Sequence, residues 1–146
     1  MPLNIAALQS GLESAFASPP ATVAECAQAW ADAVQSWASG ILPASTTVSA
    51  AAAALSGALA SAFSSPAAIP GLEAAFATFA GSVGLGMAGY VPVPPPSPVG
   101  FAAQFGGPHP PTHAAAAQAI AGLLDAWMRT GTGTLVAPPN TVIPWS

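Results

Sequence analysis

Charge is what this chain has least of. Charged residues make up 4% of its 146 positions, against about 25% in an ordinary soluble domain. The one base is Arg129, the five acids are Glu13, Glu25, Asp32, Glu73 and Asp125, and the net charge is −4. That balance argues against nucleic acid, whose phosphates are held by several Lys or Arg side chains. It argues against anionic membrane surfaces for the same reason. Cys26 stands alone, so no internal disulfide can form and nothing points to an oxidising compartment. The opening "MPLNIAALQSGLESAF" has no basic residue, which speaks against a cleaved secretory signal. Long runs of large apolar side chains are missing too. The uncharged stretch "TTVSAAAAALSGALASAF" offers only Val48, Leu55, Leu59 and Phe63. A membrane-spanning helix needs roughly 20 predominantly apolar residues, so no membrane span is expected.

The apolar residues that are present fall at helical spacing. Ile5, Leu8, Leu12 and Phe16 form a first stripe, with Asn4 placed as its N-cap and "SPP" as its stop. Thr22 and Glu25 form a capping box ahead of Val23, Cys26, Trp30, Val34, Trp37 and Ile41, and Gly40 with Pro43 closes that helix. A third stripe is Val48, Ala52, Leu55, Leu59 and Phe63, and a fourth is Leu72, Phe76, Phe79, Val83 and Met87. Pro70 suits the first turn of the fourth helix, and Glu73 lies near its positive end. The prolines of "YVPVPPPSPVG" exclude helix and favour an extended connector, within which Phe101 and Phe105 allow at most one turn. Thr112 caps a fifth helix carrying Ala116, Ile120, Leu123 and Trp127, with Asp125 and Arg129 paired at i, i+4.

The expected fold is therefore all-α, about five helices arranged as two helical hairpins plus one helix. Residues 1–90 hold the hairpin pair, 91–111 the Pro-rich connector, 112–130 the fifth helix on the same domain, and 131–146 an extended Pro/Gly/Thr-rich C-terminal arm. A short strand over Thr134–Val136 is the only other element expected in that arm. "LESAFASPP" (Leu12–Pro20) returns 47 residues later as "LASAFSSPA" (Leu59–Ala67), which raises the question of a duplicated hairpin.

Surface positions that normally carry Glu and Lys hold Ala and Ser instead: Ala24, Ala29, Ala31, Ala33 and Ser36 in the second helix, Ala50, Ala51, Ala53 and Ala54 in the third. Helices small or apolar all round are usually covered on more than one side, and neighbouring subunits are the economical cover. The arm adds Leu135, Val136, Val142, Ile143 and Trp145, which are too apolar for a free tail. They form the expected interface, with Trp145 as its foremost contact, docked on the chain's own bundle or added to a neighbour by strand addition.

No catalytic, cofactor-binding or metal-binding residue emerges. Gly84-Leu85-Gly86-Met87-Ala88-Gly89 satisfies G-x-G-x-x-G, but the phosphate-binding form needs a strand before it and a helix after it. Here it ends a helix. His109 and His113 are separated by Pro110 and Pro111, with no Cys or acid nearby to complete a metal site. Cys26 lies on an apolar face and reads as a small core residue, and no orienting group marks it as a nucleophile with either histidine. The acids are explained by capping and solubility.

Two family likenesses bear on function. "WASG", Trp37 to Gly40, is similar to the W-x-G turn of small helical secreted proteins, and the Ala/Gly-rich tone resembles PE/PPE proteins. The spacing here is one residue longer, and no Y-x-x-x-D/E export tail is present. Ala-rich helices closed by "WMRTGTGTLVAPPNTVIPWS" resemble small virion proteins of tailed bacteriophages, in which a helical body is followed by a Thr/Gly-rich extended C-terminus. That likeness implies a non-enzymatic structural subunit of a virion (tail, baseplate, neck or capsid), assembled in the host cytoplasm. Its partners would be copies of itself and other subunits, with no cofactor and no small-molecule substrate. The alternative is a secreted or surface-associated helical interaction protein.

Overall fold

The computed structural model describes residues 2–146 and is mostly helical. In chain order the elements are α1 (Ile5–Ala17), α2 (Val23–Ala38), α3 (Val48–Phe63), α4 (Ala68–Leu85), β1 (Tyr90–Val93), α5 (Phe101–Gly106), α6 (His113–Met128), β2 (Thr132–Leu135) and β3 (Val142–Pro144). Two expectations need correction. The turn allowed at Phe101 and Phe105 in the 91–111 connector is the short helix α5, and the fold is not purely all-α. Tyr90–Val93 and the C-terminal arm supply β1, β2 and β3, an antiparallel sheet of order β1-β2-β3.

Local chemistry sets the helix starts. Asn4 Oδ1 accepts from the Ala7 N–H at 3.2 Å. Thr22 and Glu25 exchange the two bonds of a capping box, at 3.2 and 3.1 Å. Thr112 Oγ1 accepts from the Ala115 N–H. Each cap satisfies a donor that the first helical turn would otherwise orphan, worth about 1 kcal/mol.

Sequential helices pack as neighbours, α1 on α2, α2 on α3, α3 on α4, and α6 returns to lie against α1. The buried stripes meet in one core that includes Leu8, Leu12, Trp30, Trp37, Leu55, Leu59, Phe76, Phe79, Leu124 and Met128. Both hairpins rely on a glycine at their closest approach. A Cβ on Gly11 would lie 2.5 Å from Ala33 Cβ, and one on Gly71 would lie 2.8 Å from Ala62 Cβ. Gly11→Val should therefore destabilise the protein by about 2 kcal/mol through overpacking. Gly57→Val, with open space at that position, should leave the thermal midpoint within a few degrees. Equal losses in thermal melts would remove the helix crossing as the cause.

The repeated "SAF" segments do not play equivalent parts. Phe16 and Phe63 both pack on Trp30, with ring centroids 5.8 and 5.5 Å away. Phe16 thus contacts the second helix of its own hairpin, whereas Phe63 reaches back to the preceding one. The glycine crossings also fail to superimpose, since Gly11 and Ala33 shifted by 47 fall on Ala58 and Ala80. Similar sequence is used here in two different packing roles.

One end of the bundle gathers the start of α1 and the ends of α2, α4 and α6. The Asn4 N–H donates to the Trp37 carbonyl. Ser45 Oγ donates to the Val83 carbonyl at 2.6 Å and Thr47 Oγ1 to the Ser82 carbonyl at 2.7 Å, so the α2–α3 connection caps the end of α4. The sheet sits on this end. Pro43 approaches Gly133, and Trp145 lies against Gly84 and Gly131. By length and composition α4 is also the one helix among the described residues able to cross a membrane. In this fold Leu72, Phe76, Phe79 and Val83 of α4 are buried in the core.

Candidate functional site

The pleat of the sheet divides the predicted interface. Register pairs Val91 with Thr134 and Val93 with Thr132 across β1 and β2, then Thr134 with Val142 and Thr132 with Pro144 across β2 and β3. Directly opposed residues point to the same side of a sheet, and successive residues alternate sides. Val91, Val93, Thr132, Thr134, Val142 and Pro144 therefore share the outer side, and Val136, just beyond β2, follows the same alternation. Tyr90, Pro92, Gly133, Leu135 and Ile143 face the bundle, and so does Trp145.

Of the five residues expected at an interface, Val136 and Val142 are exposed, at 63% and 58%. Leu135 and Ile143 are half-buried on the inner side. Trp145 requires a correction: at 1% exposure it is a core residue of its own domain and presents no surface to a partner. Its ring fits because Gly131 and Gly84 have no side chains. A Cβ on Gly131 would come within 2.6 Å of Trp145 Cδ2. Next to it, Ser146 and Leu42 exchange two backbone hydrogen bonds at 2.9 and 3.1 Å, which fastens the final residue to the chain after α2. The segment 131–146 is thus part of its own fold.

Both edges of the sheet are poor in donors for strand addition. In an antiparallel ladder, alternate residues point their N–H and C=O groups away from the partner strand. The Val136 N–H donates to the Gly89 carbonyl, so on β1 the outward positions are Tyr90, Pro92 and then Pro94. The Tyr90 N–H is taken by the Met87 carbonyl, and the two prolines have no N–H. On β3 the outward positions are Val142, Pro144 and Ser146, of which Pro144 has no N–H and Ser146 is bonded to Leu42. Prolines blunt both edges, so a partner strand would find a free donor only at Val142.

Other sites singled out in the sequence resolve into structural parts. Trp37 of "WASG" is fully buried, and its indole N–H donates to Asp125 Oδ1 at 3.0 Å. Asp125 also receives Arg129 Nε at 2.7 Å and Nη2 at 3.3 Å. Glu73 does not serve its own helix. Its carboxylate accepts the N–H groups of Val99, Gly100 and Phe101, the latter two at 3.0 and 2.7 Å, and so caps α5 and ties the connector to α4. Gly100, at φ +112°, adopts the left-handed turn that lets this happen. In the G-x-G-x-x-G segment, Gly84 lies against Pro92 and Trp145, and Gly86 against Ser45 and Thr47. The segment sits at the carbonyl end of α4, electrostatically opposite to a phosphate cradle. His109 and His113 are both exposed, and Cys26 is half-buried against the core. Among the described residues no group of three His, Cys, Asp or Glu side chains converges.

Two apolar surfaces remain. One is an open groove of about 400 Å³ between α3 and α4, lined by Ala51, Ala54, Ala58, Ala74, Thr78 and neighbouring residues. The other is the outer side of the sheet, to which sequence reasoning contributed Val136 and Val142 but not Val91, Val93 or Leu42. The signal for Val91 and Val93 was the alternation in "YVPV", masked by the prolines that follow it, whereas Leu42 reaches this end only through its backbone pairing with Ser146. Comparison of the chain with protein-family models, with curated proteins and with solved structures finds no match.

Proposed function

We propose that this protein is a non-enzymatic structural subunit of a large protein assembly, of the kind that builds a tailed-phage virion, working through copies of itself and neighbouring subunits. The observation that supports this reading most directly is where the exposed apolar side chains lie. Among the described residues the large exposed apolar side chains are Val23, Leu42, Leu85, Val91, Val93, Phe105, Val136 and Val142. All but Val23 and Phe105 belong to the sheet, to the chain that pairs with it, or to the adjoining end of α4. Exposed apolar side chains gathered on one end mark a contact surface rather than random scatter. The methyl- and hydroxyl-lined groove between α3 and α4 is a second area that a neighbour would cover.

Sedimentation of the full chain from micromolar to millimolar concentration tests the proposal, with native mass spectrometry alongside. Species well above the 14.1 kDa single chain, or incorporation into particles when neighbouring genes are co-expressed, are the expected results. A persistent monomer that joins no particle would refute it. A discrete complex with one unrelated protein would instead favour a secreted or surface-associated interaction protein.

A further inference from the structure

We propose that β3 is exchanged between two copies of this chain, each laying its Val142–Ser146 segment on the β2 strand and in the tryptophan slot of the other. This inference rests on the assembly reading and names the segment that joins the copies. The slot built by Gly84 and Gly131 receives Trp145, and the identical segment of a second copy fits it by construction.

The connection between β2 and β3 carries the inference. Residues 136–141 are exposed throughout. The chain reverses over Ala137–Asn140, closed by the Asn140 N–H on the Ala137 carbonyl at 3.1 Å. The two central residues of this reversal are Pro138 and Pro139. Consecutive prolines favour extended polyproline II chain, and each steers the residue before it away from helical angles. Asn140, at φ +52°, is the one non-glycine residue with a positive φ among the described residues, in a region that disfavours residues carrying a side chain. Local preference is thus extended where the closed fold requires a reversal, and short strained hinges of this kind invite exchange. An extended 136–141 relieves both features and spans about 20 Å, enough to carry β3 to a neighbouring sheet.

Exchange keeps every contact that the segment makes. The β2–β3 ladder, the seat of Trp145 and the two Ser146–Leu42 bonds re-form between chains with the same partners. Residues 130–146 contain no acidic or basic side chain, so no ion has to cross from one copy to the other. Because prolines leave both sheet edges poor in donors, a neighbour enters this ladder by replacing β3 rather than by extending it. The chain's own segment competes at an effective concentration of about 1 mM, typical of a short linker. Exchange therefore grows with protein concentration and is favoured where copies are packed side by side.

The test is a disulfide that only exchange can place between chains. Thr134 and Val142 are directly opposed across β2 and β3. The bonds from the Leu135 N–H to the Thr141 carbonyl and from the Trp145 N–H to the Gly131 carbonyl put them at a non-hydrogen-bonded position. Cα atoms there lie about 4.5 Å apart, within the reach of a disulfide. In a Cys26→Ser background, one chain carries Thr134→Cys and another Val142→Cys, and the mixture is oxidised after equilibration at about 1 mM. The expected product is a disulfide joining the two different variants, at least about fivefold in excess over either like-with-like pair. Both substitutions in one chain, oxidised at about 1 μM, should close within that chain and so show that the strands are folded in register. Pro138→Asn with Pro139→Gly installs residues that favour the reversal and should lower the mixed product by at least about fivefold. If the mixed disulfide does not exceed the like-with-like pairs, or the hinge variant leaves it unchanged, exchange is overturned. Sedimentation of the parent separates that failure from failure of the assembly reading. A parent that self-associates without the mixed disulfide overturns exchange and assembles through another surface. A parent that stays monomeric and forms none also overturns exchange, and assembly with other subunits is then judged by incorporation into particles.

Discussion

Replacing Trp145 with alanine is expected to lower the unfolding free energy by about 4 kcal/mol, the range of large-to-small changes in a packed core. The residue is the last but one in the chain, a place where most substitutions do little. The expected size follows from burial: the ring is closed off from solvent and seated over Gly131 and Gly84. Among the described residues its indole N–H has no hydrogen-bond partner, and a buried donor left unpaired carries a penalty of about 1–3 kcal/mol. Trp145→Phe removes that unsatisfied donor along with some packing, so it should cost only about 1 kcal/mol or less. Equilibrium urea unfolding measures both. A Trp145→Ala midpoint equal to that of the parent would show that the C-terminal strand is not part of the folded unit. A free arm could be removed with the helices intact, but deletion of 132–146 takes away Trp145 and two strands. Loss of cooperative unfolding is the expected result.

Asp125→Ala is expected to cost about 3 kcal/mol. Asp125 is itself 8% exposed and joins two helices that are not sequence neighbours, accepting from Trp37 of α2 and from Arg129, the C-cap of its own α6. Without the carboxylate, the fully buried Trp37 N–H is left with no acceptor, and that unmet desolvation penalty makes up most of the loss. Asp125→Asn keeps one acceptor oxygen and should lose roughly half as much. A cycle combining Asp125→Ala with Trp37→Phe isolates the pair, with an expected coupling of about 1–2 kcal/mol. Additive losses would mean that the indole–carboxylate bond contributes nothing.

These two residues also show where sequence reading stopped. Asp125 and Arg129 were visible as an i, i+4 pair because the helix itself brings them together. The third member, Trp37, is 88 positions away, and no local pattern marks it. Glu73 is a similar case. It looked like a carboxylate placed for its own helix, yet its partners are Val99, Gly100 and Phe101 on the connector. The short helix α5 was legible only as a single turn at Phe101 and Phe105 for the same reason, since that anchoring lies outside its own few residues.

By itself the sequence determined the long helices α1–α4 and α6, the side-chain caps of three of them and their buried stripes. Asn4, Thr22 with Glu25, and Thr112 act within one turn, and the apolar spacing is a property of the helix alone. The sequence also determined that the surface would be nearly free of ions. Only the tertiary structure decided the fate of the last 15 residues. A strand is completed by hydrogen bonds to another strand, and β2 finds its first partner in β1, 41 to 43 residues earlier at the central pairs of the register. Once that register is set, the two-residue alternation of the pleat turns Leu135, Ile143 and Trp145 inward and Val136 and Val142 outward. Composition alone cannot separate them, because all five are equally apolar and differ only in which side of the sheet they occupy.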